Sequence, residues 1–152
     1  MGFELKRLDG SKGLRGALGA DPYFDVTVEG MNFLRNMMRV FDMLVDVAPP
    51  QPREPHVFDV TSPVDGTNPA NDLKIDAYLQ ADADRMSADS GVGGIPSYKL
   101  ESNDEWMVTP REISISLSRY FSGQPGALSN PLWETFIAFL CVAMACGGFI
   151  VK

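Results

Sequence analysis

Histidine and cysteine are almost missing from this sequence. Its 152 residues hold one His, His56, and two Cys, Cys141 and Cys146. Two thiols cannot staple a small secreted scaffold, and their scarcity fits a reducing compartment, so the expectation is a cytoplasmic chain without a disulfide framework. Both Cys fall in one apolar, helical-looking run. Five positions apart at 100° per residue, they point about 140° away from each other, poor geometry for a bond or a shared metal. They read as small buried hydrophobes. One His and two such Cys cannot supply the ligands of a zinc site, and neither a metal nor a cofactor is expected.

The same shortage removes the common catalytic sets. A Ser-His-Asp or Cys-His catalyst would need His56, which follows Pro55 at the start of a predicted strand. No Gly-x-Ser-x-Gly elbow occurs, and a thiolate is disfavoured in the most apolar helix. No Walker loop is present. Gly91-Val92-Gly93-Gly94 is followed by Ile95-Pro96, which does not open a helix, so phosphate cradling is unsupported. No catalytic residue is assigned.

Long hydrophobic runs are limited to one, Leu132 to Val151, with Glu134 as its only charge. Its length would suffice to cross a bilayer. Asn130-Pro131, however, is a helix start of the soluble type, and Gly147-Gly148 stops the helix near residue 146. The remaining helix is roughly 16 residues, about 24 Å, short of the hydrocarbon core. A buried helix followed by a strand is expected, not a membrane anchor. At the other end no apolar core precedes a small-residue cleavage site, and Lys6 stands where myristoylation wants Ser or Thr.

Positive charge is also short: 13 Lys and Arg against 20 Asp and Glu give a net charge of −7. The imbalance is concentrated. Residues 54–105 hold Glu54, Asp59, Asp65, Asp72, Asp76, Asp82, Asp84, Asp89, Glu101, Asp104 and Glu105 against only Lys74, Arg85 and Lys99. Such a segment repels phosphate backbones, which argues against nucleic acid and favours a basic protein partner or a cation, with plain solubility as the alternative.

What is present is a globular composition, 45% hydrophobic and 22% charged. A chain of this size hides roughly 70% of its unfolded surface and needs no staples. The expected architecture is α+β, a single domain over 1–152, with three to four helices, a small sheet of short strands and a central C-terminal helix. A proline-rich connector over 48–55 is expected between an N-terminal helical lobe and the remainder. Alternation predicts a strand at Phe3–Lys6, and glycines at 10, 13, 16 and 19 predict a loop over 9–22. A helical pattern runs from Val28 to Asp46, with Asn32, Arg35, Asn36, Arg39, Asp42 and Asp46 forming one polar stripe and the rest buried. His56–Val60 reads as a strand, 61–71 as turns, 70–86 as a helix and Ser87–Ser97 as a loop. Trp106-Met107-Val108 reads as a strand end, and Thr109-Pro110-Arg111-Glu112 is a capping box opening a helix, in which Ser114, Ser116 and Ser118 fall mostly on other faces than Ile113, Leu117, Tyr120 and Phe121. Asn130-Pro131 opens the last helix, Gly147-Gly148 closes it, and Phe149-Ile150-Val151 returns as a strand.

Two acidic groups carry the residual chemistry. Asp82-Ala83-Asp84 with Asp89 beyond begins like a calcium loop, but Met86 stands at the third ligand position, Ser87 replaces the required Gly and no Glu closes it. In Ser102-Asn103-Asp104-Glu105-Trp106 adjacent carboxylates would point to opposite faces of a strand, unless the segment is irregular. Asn and Asp there read as a turn, with Trp106 entering the core. The leading expectation is a small acidic interaction module of the inhibitor, immunity or adaptor type, presenting Asp82, Asp84, Asp89, Asp104 and Glu105 to a basic partner. Two alternatives stand beside it. One is a carboxylate-based or metal-dependent hydrolase in which Asp59, Asp65, Asp82, Asp84, Asp104 or Glu105 meet in space. The other is a structural subunit of a larger assembly, joined through the Met-rich helix or the C-terminal segment.

Overall fold

A computed structural model describes residues 2–8, 22–51, 69–123 and 129–152. The expected loop over 9–22, apart from Pro22, the strand at His56–Val60 with Asp59, the turns over 61–68 with Asp65, and His56 itself lie outside these residues. The elements in chain order are β1 (Gly2–Arg7), β2 (Tyr23–Thr27), α1 (Val28–Val40), β3 (Leu44–Val45), α2 (Pro69–Ser87), β4 (Ile95–Pro96), a 3₁₀ turn (Ser97–Leu100), β5 (Met107–Val108), α3 (Pro110–Ser122), α4 (Pro131–Ala145) and β6 (Phe149–Val151). Mixed helices around short strands make the fold α+β, as the sequence pattern predicts.

The chain divides into two units, Met1–Pro49 with Asp89–Lys152, and Pro50–Ala88. The larger is built on an antiparallel sheet in the order β2-β1-β6-β5. Side chains alternate across it, as a strand's period of two requires. Leu5, Phe24, Val26, Phe149 and Val151 are buried, while Tyr23, Asp25 and Thr27 face solvent. The buried set packs on α4: the ring of Phe24 lies 5.7 Å from Phe136 and 5.5 Å from Phe139, and Phe139 meets Phe149 at 5.4 Å. Trp133, Phe136, Leu140 and Ala143 are wholly buried, so α4 is central, as expected of a helix apolar nearly all round. Burying each large side chain contributes about 1.5–3 kcal/mol.

The helix starts follow their sequence signals. Asn130 accepts from the amides of Leu132 and Trp133, with Pro131 in the first turn. At Thr109 both bonds of the capping box are formed. The closure of α4 also holds: Gly147 and Gly148 have φ of 92° and 98°. A Cβ on Gly148 would stand 2.2 Å from the Val108 carbonyl oxygen, so only glycine fits where the chain turns into β6. Cys141 and Cys146 are free, and burial pushes the Cys141 thiol up. Among the described residues no helix is long and apolar enough to cross a membrane.

Three readings of the sequence are corrected. Helix α1 ends at Val40 rather than running to Asp46. The Met43 amide reaches back to the Met38 carbonyl at 2.8 Å and the Asp42 amide to Arg39 at 3.1 Å, while Asp42 takes a left-handed φ of 58°. This is a Schellman closure, in which aspartate serves where glycine is commoner. Met43 and Leu44 still enter the core, now from β3, and Val40 is 73% exposed instead of buried. Second, the loop from Ser87 is interrupted at Ile95–Pro96, which pairs in parallel with Leu44–Val45. Third, Ser116 is buried, unlike Ser114 and Ser118: its hydroxyl donates to the Met43 carbonyl at 2.6 Å and accepts from the Ile95 amide at 3.0 Å, tying β3 and β4 to α3.

In the smaller unit, α2 matches the helix expected over 70–86. From residue 75 onward none of its side chains is fully buried, and Leu79 is 58% exposed.

Candidate functional site

The segment from Asp89 to Val108 is set by an ion pair that the sequence does not advertise. Lys99 and Glu112 are both fully buried; the ammonium donates to both Glu112 oxygens at 3.0 Å and to the Met107 carbonyl at 2.7 Å. The carboxylate also accepts from the Ser90 amide at 2.9 Å and the Thr109 amide at 2.9 Å. A buried pair tolerates its loss of hydration only when its remaining bonding sites are filled. These are filled, and no buried side-chain N or O among the described residues lacks a partner. The pair welds the loop after α2 to the start of α3.

Asp89 extends this network. Its Oδ2 accepts from the Thr109 hydroxyl at 2.6 Å, and its Oδ1 from the Gly91 amide at 2.8 Å and from Arg111 at 3.0 Å. Burial opposes the charge, but the bonds from Thr109 and Gly91 and the nearby Arg111 outweigh it, holding the carboxyl below its ordinary range. Asp46 is held down as well, chiefly by its bond from Arg39. In the smaller unit Asp82 accepts from Arg85 at 2.7 Å and Asp84 accepts from Gln80 at 2.8 Å. Among the described residues no group of three or more His, Cys, Asp or Glu is arranged to hold a metal ion.

Asp104 and Glu105 have a different setting. Ser102 donates to Asp104 at 2.6 Å, and the Asn103 amide group donates to the Gly2 carbonyl at 3.2 Å, drawing this loop to the start of β1. The loop is irregular: Glu105 has φ 62°, a strained value for a residue with a Cβ. Trp106, as expected, enters the core, edge-on to Tyr98 at 4.9 Å. Glu105 reaches Lys152 at 3.7 Å.

That turn borders an open groove of about 520 Å³ on the sheet, lined by Gly2, Phe3, Glu4, Asp25, Val26, Thr27, Asn103 and Lys152. Glu4 and Asp25 are register partners on β1 and β2. Glu4 exchanges both backbone bonds with Lys152, each 2.8 Å, so its backbone turns away from β2. Glu4 and Asp25 are therefore a non-hydrogen-bonded pair, whose side chains approach most closely. Among the described residues neither carboxylate has an ion pair or hydrogen bond. Lys152 beside Glu4 is engaged by Glu105, and Lys6 stands over the Tyr23 ring at 5.8 Å.

No protein-family model, curated protein or solved structure matches the chain. The five acids singled out by sequence thus divide. Asp104 and Glu105 follow Asn103, which lines the groove, Asp89 is absorbed in the network at the start of α3, and Asp82 and Asp84 lie on α2 of the other unit. Glu4 and Asp25 escaped the charge count because they lie outside its acidic segment. The signal that marks them is alternation, with Glu in Phe-Glu-Leu-Lys and Asp in Tyr-Phe-Asp-Val-Thr at the polar positions of two strands.

Proposed function

We propose that this chain is a small acidic interaction protein of the inhibitor, immunity or adaptor type that binds a basic protein partner. The observation supporting this reading is the groove in which Glu4 and Asp25 oppose one another with no ion pair of their own, in a lining that also holds Asn103 of the acidic turn and Lys152. Like charges directly opposite in a sheet are destabilising, so a fold that keeps them gains when a cation arrives from outside. Asp84, and Asp82 beside its partner Arg85, lie on α2 of the other unit and are a separate set of carboxylates in this proposal.

The test is capture of host proteins on the immobilised chain, eluted by salt and identified by mass spectrometry. A basic protein released between about 0.1 and 0.5 M salt, and retained poorly by Glu4→Lys or Asp104→Lys, is expected, because such ionic strengths shrink the Debye length below 10 Å. Retention indifferent to salt and to these reversals would overturn the reading.

A further inference from the structure

Between α4 and the β1–β2 hairpin the packing leaves a gap. From Phe136 to Leu140 the helix reads Phe-Ile-Ala-Phe-Leu, so Ala138 is a single methyl among large side chains. Thr135, Ala138, Phe139 and Val142 follow one another at helical spacing and share one face of α4. Where that face meets Arg7, Tyr23 and Phe24, the short side chain leaves a cavity of about 220 Å³. Its main walls are the rings of Phe24 and Phe139, 5.5 Å apart and 33° from parallel, and the methyls of Ala138 and Val142. Val142 is half-buried and Ala138 is exposed, so the gap opens to solvent and a guest can enter without unfolding the chain. The polar groups around it are already engaged. The Thr135 hydroxyl donates to the Pro131 carbonyl at 2.7 Å, and Arg7 and Tyr23 have interactions of their own. The ligand that suits such a lining is one that asks for no hydrogen bond.

We propose that this cavity is a binding site for a small, neutral, aromatic molecule. No acidic residue lines it, so the inference stands apart from the acidic-module reading. Size decides the class of ligand. An apolar cavity of about 150 Å³ admits benzene, whereas pockets for drug-sized ligands run from about 300 to 1,000 Å³. A volume of about 220 Å³ therefore suits one ring with small substituents and excludes a nucleotide or a long acyl chain. Wall chemistry decides between ring and alkane. Phe24 and Phe139 offer faces and edges to a third ring, and tilted or offset ring pairs gain more than the area they bury. An unfilled gap forfeits the dispersion contacts of the side chains around it, and a guest restores them.

The test adds benzene to the full chain, with benzoate as its charged counterpart. Methyl NMR and thermal denaturation are the readouts. Benzene should shift the Ala138 and Val142 methyl signals along a saturable curve with a Kd of about 1 mM, an affinity within reach of so small a molecule. The Ala145 methyl, exposed on the same helix but outside the cavity, should not move. At about ten times Kd the Tm should rise by about 3–6 °C. Benzoate should bind at least about tenfold more weakly, because its charge would lose hydration. Ala138→Leu places a branched side chain in the gap and should abolish benzene binding, whereas Ala145→Leu should leave it unchanged.

Benzene that gives no saturable shift, shifts spread evenly over α4, or binding that Ala138→Leu retains would each overturn the site. Benzoate binding as tightly as benzene would overturn the neutral ligand. If Ala138→Leu does not fold, the map of methyl shifts on the unaltered chain still decides. The acidic reading is judged separately, by its own salt and charge-reversal test.

Discussion

The start of α3 and the outer face of the β1–β2 hairpin both carry acids, and the fold treats them in opposite ways. At α3, Glu112 is enclosed with Lys99, and Asp89 is gripped by Thr109, Gly91 and Arg111. On the hairpin, Glu4 and Asp25 stand opposite each other with no ion pair of their own, although Lys6 and Lys152 share that face. The first group consumes its charge in holding the chain together; the second leaves it directed outward. A count of carboxylates therefore says little about where a partner would be attracted, because only uncompensated charge reaches into solvent.

The largest effect that sharpens this contrast is expected at Lys99. Lys99→Met leaves Glu112 buried without its counter-ion and should cost about 3–5 kcal/mol in urea denaturation. Adding Glu112→Gln should recover part of that loss, giving a coupling above about 1 kcal/mol in the double-mutant cycle. A near-neutral Lys99→Met would mean that the acids at α3 do not depend on their cation, and the comparison would break there.

Why one region was legible and the other not follows from the range of the interactions. The caps at Thr109 and Asn130, the double-glycine stop of α4 and the entry of Trp106 into the core rest on neighbours within a few positions, and a sequence displays those directly. The end of α1 was misread because Met43, Leu44 and Val45 continue a helical apolar pattern. Arg119 of α3, whose guanidinium bonds the Asp42 carbonyl at 2.9 Å, lies 77 positions away. The candidate site also rests on pairings between distant positions. Glu4 meets Asp25 through a hairpin register, and the Asp104–Glu105 turn reaches β1 through an Asn103–Gly2 bond spanning 101 positions. Periodicity finds each strand but not which strands pair, so the acidic segment stood out and the acidic pair did not.

A middle-sized effect separates the groups by pH. Asp89 is lowered in the folded chain, so its stabilisation is present above the unfolded value near 3.9 and is lost as pH falls through the folded value. Asp89→Asn should cost about 1 kcal/mol at pH 7, the worth of a hydrogen bond, and should flatten the loss of stability between about pH 5 and pH 3. Chemical denaturation across that range checks both. An unchanged acid limb in the variant would show that Asp89 does not contribute its charge to the fold.

The smallest expected effect has the opposite sign, which makes it the most discriminating. Neutralising an acid that the fold has compensated should destabilise; neutralising one it has not should stabilise. Glu4→Gln removes one of two like charges facing each other across a strand pair, and a gain of about 0.2–1 kcal/mol follows from the ordinary size of such cross-strand terms. The same substitution should weaken retention of a basic partner in the capture experiment, because the repulsion that a cation would relieve is gone. High salt should shrink the stability gain, since these side chains border an open groove. Thermal denaturation of Glu4→Gln at low and high salt, read beside the capture experiment, carries the comparison to its end: greater stability together with poorer binding is what a surface kept for a partner costs its own fold. A loss of stability in Glu4→Gln would instead place Glu4 with Asp89 and Glu112 among the acids that the fold requires.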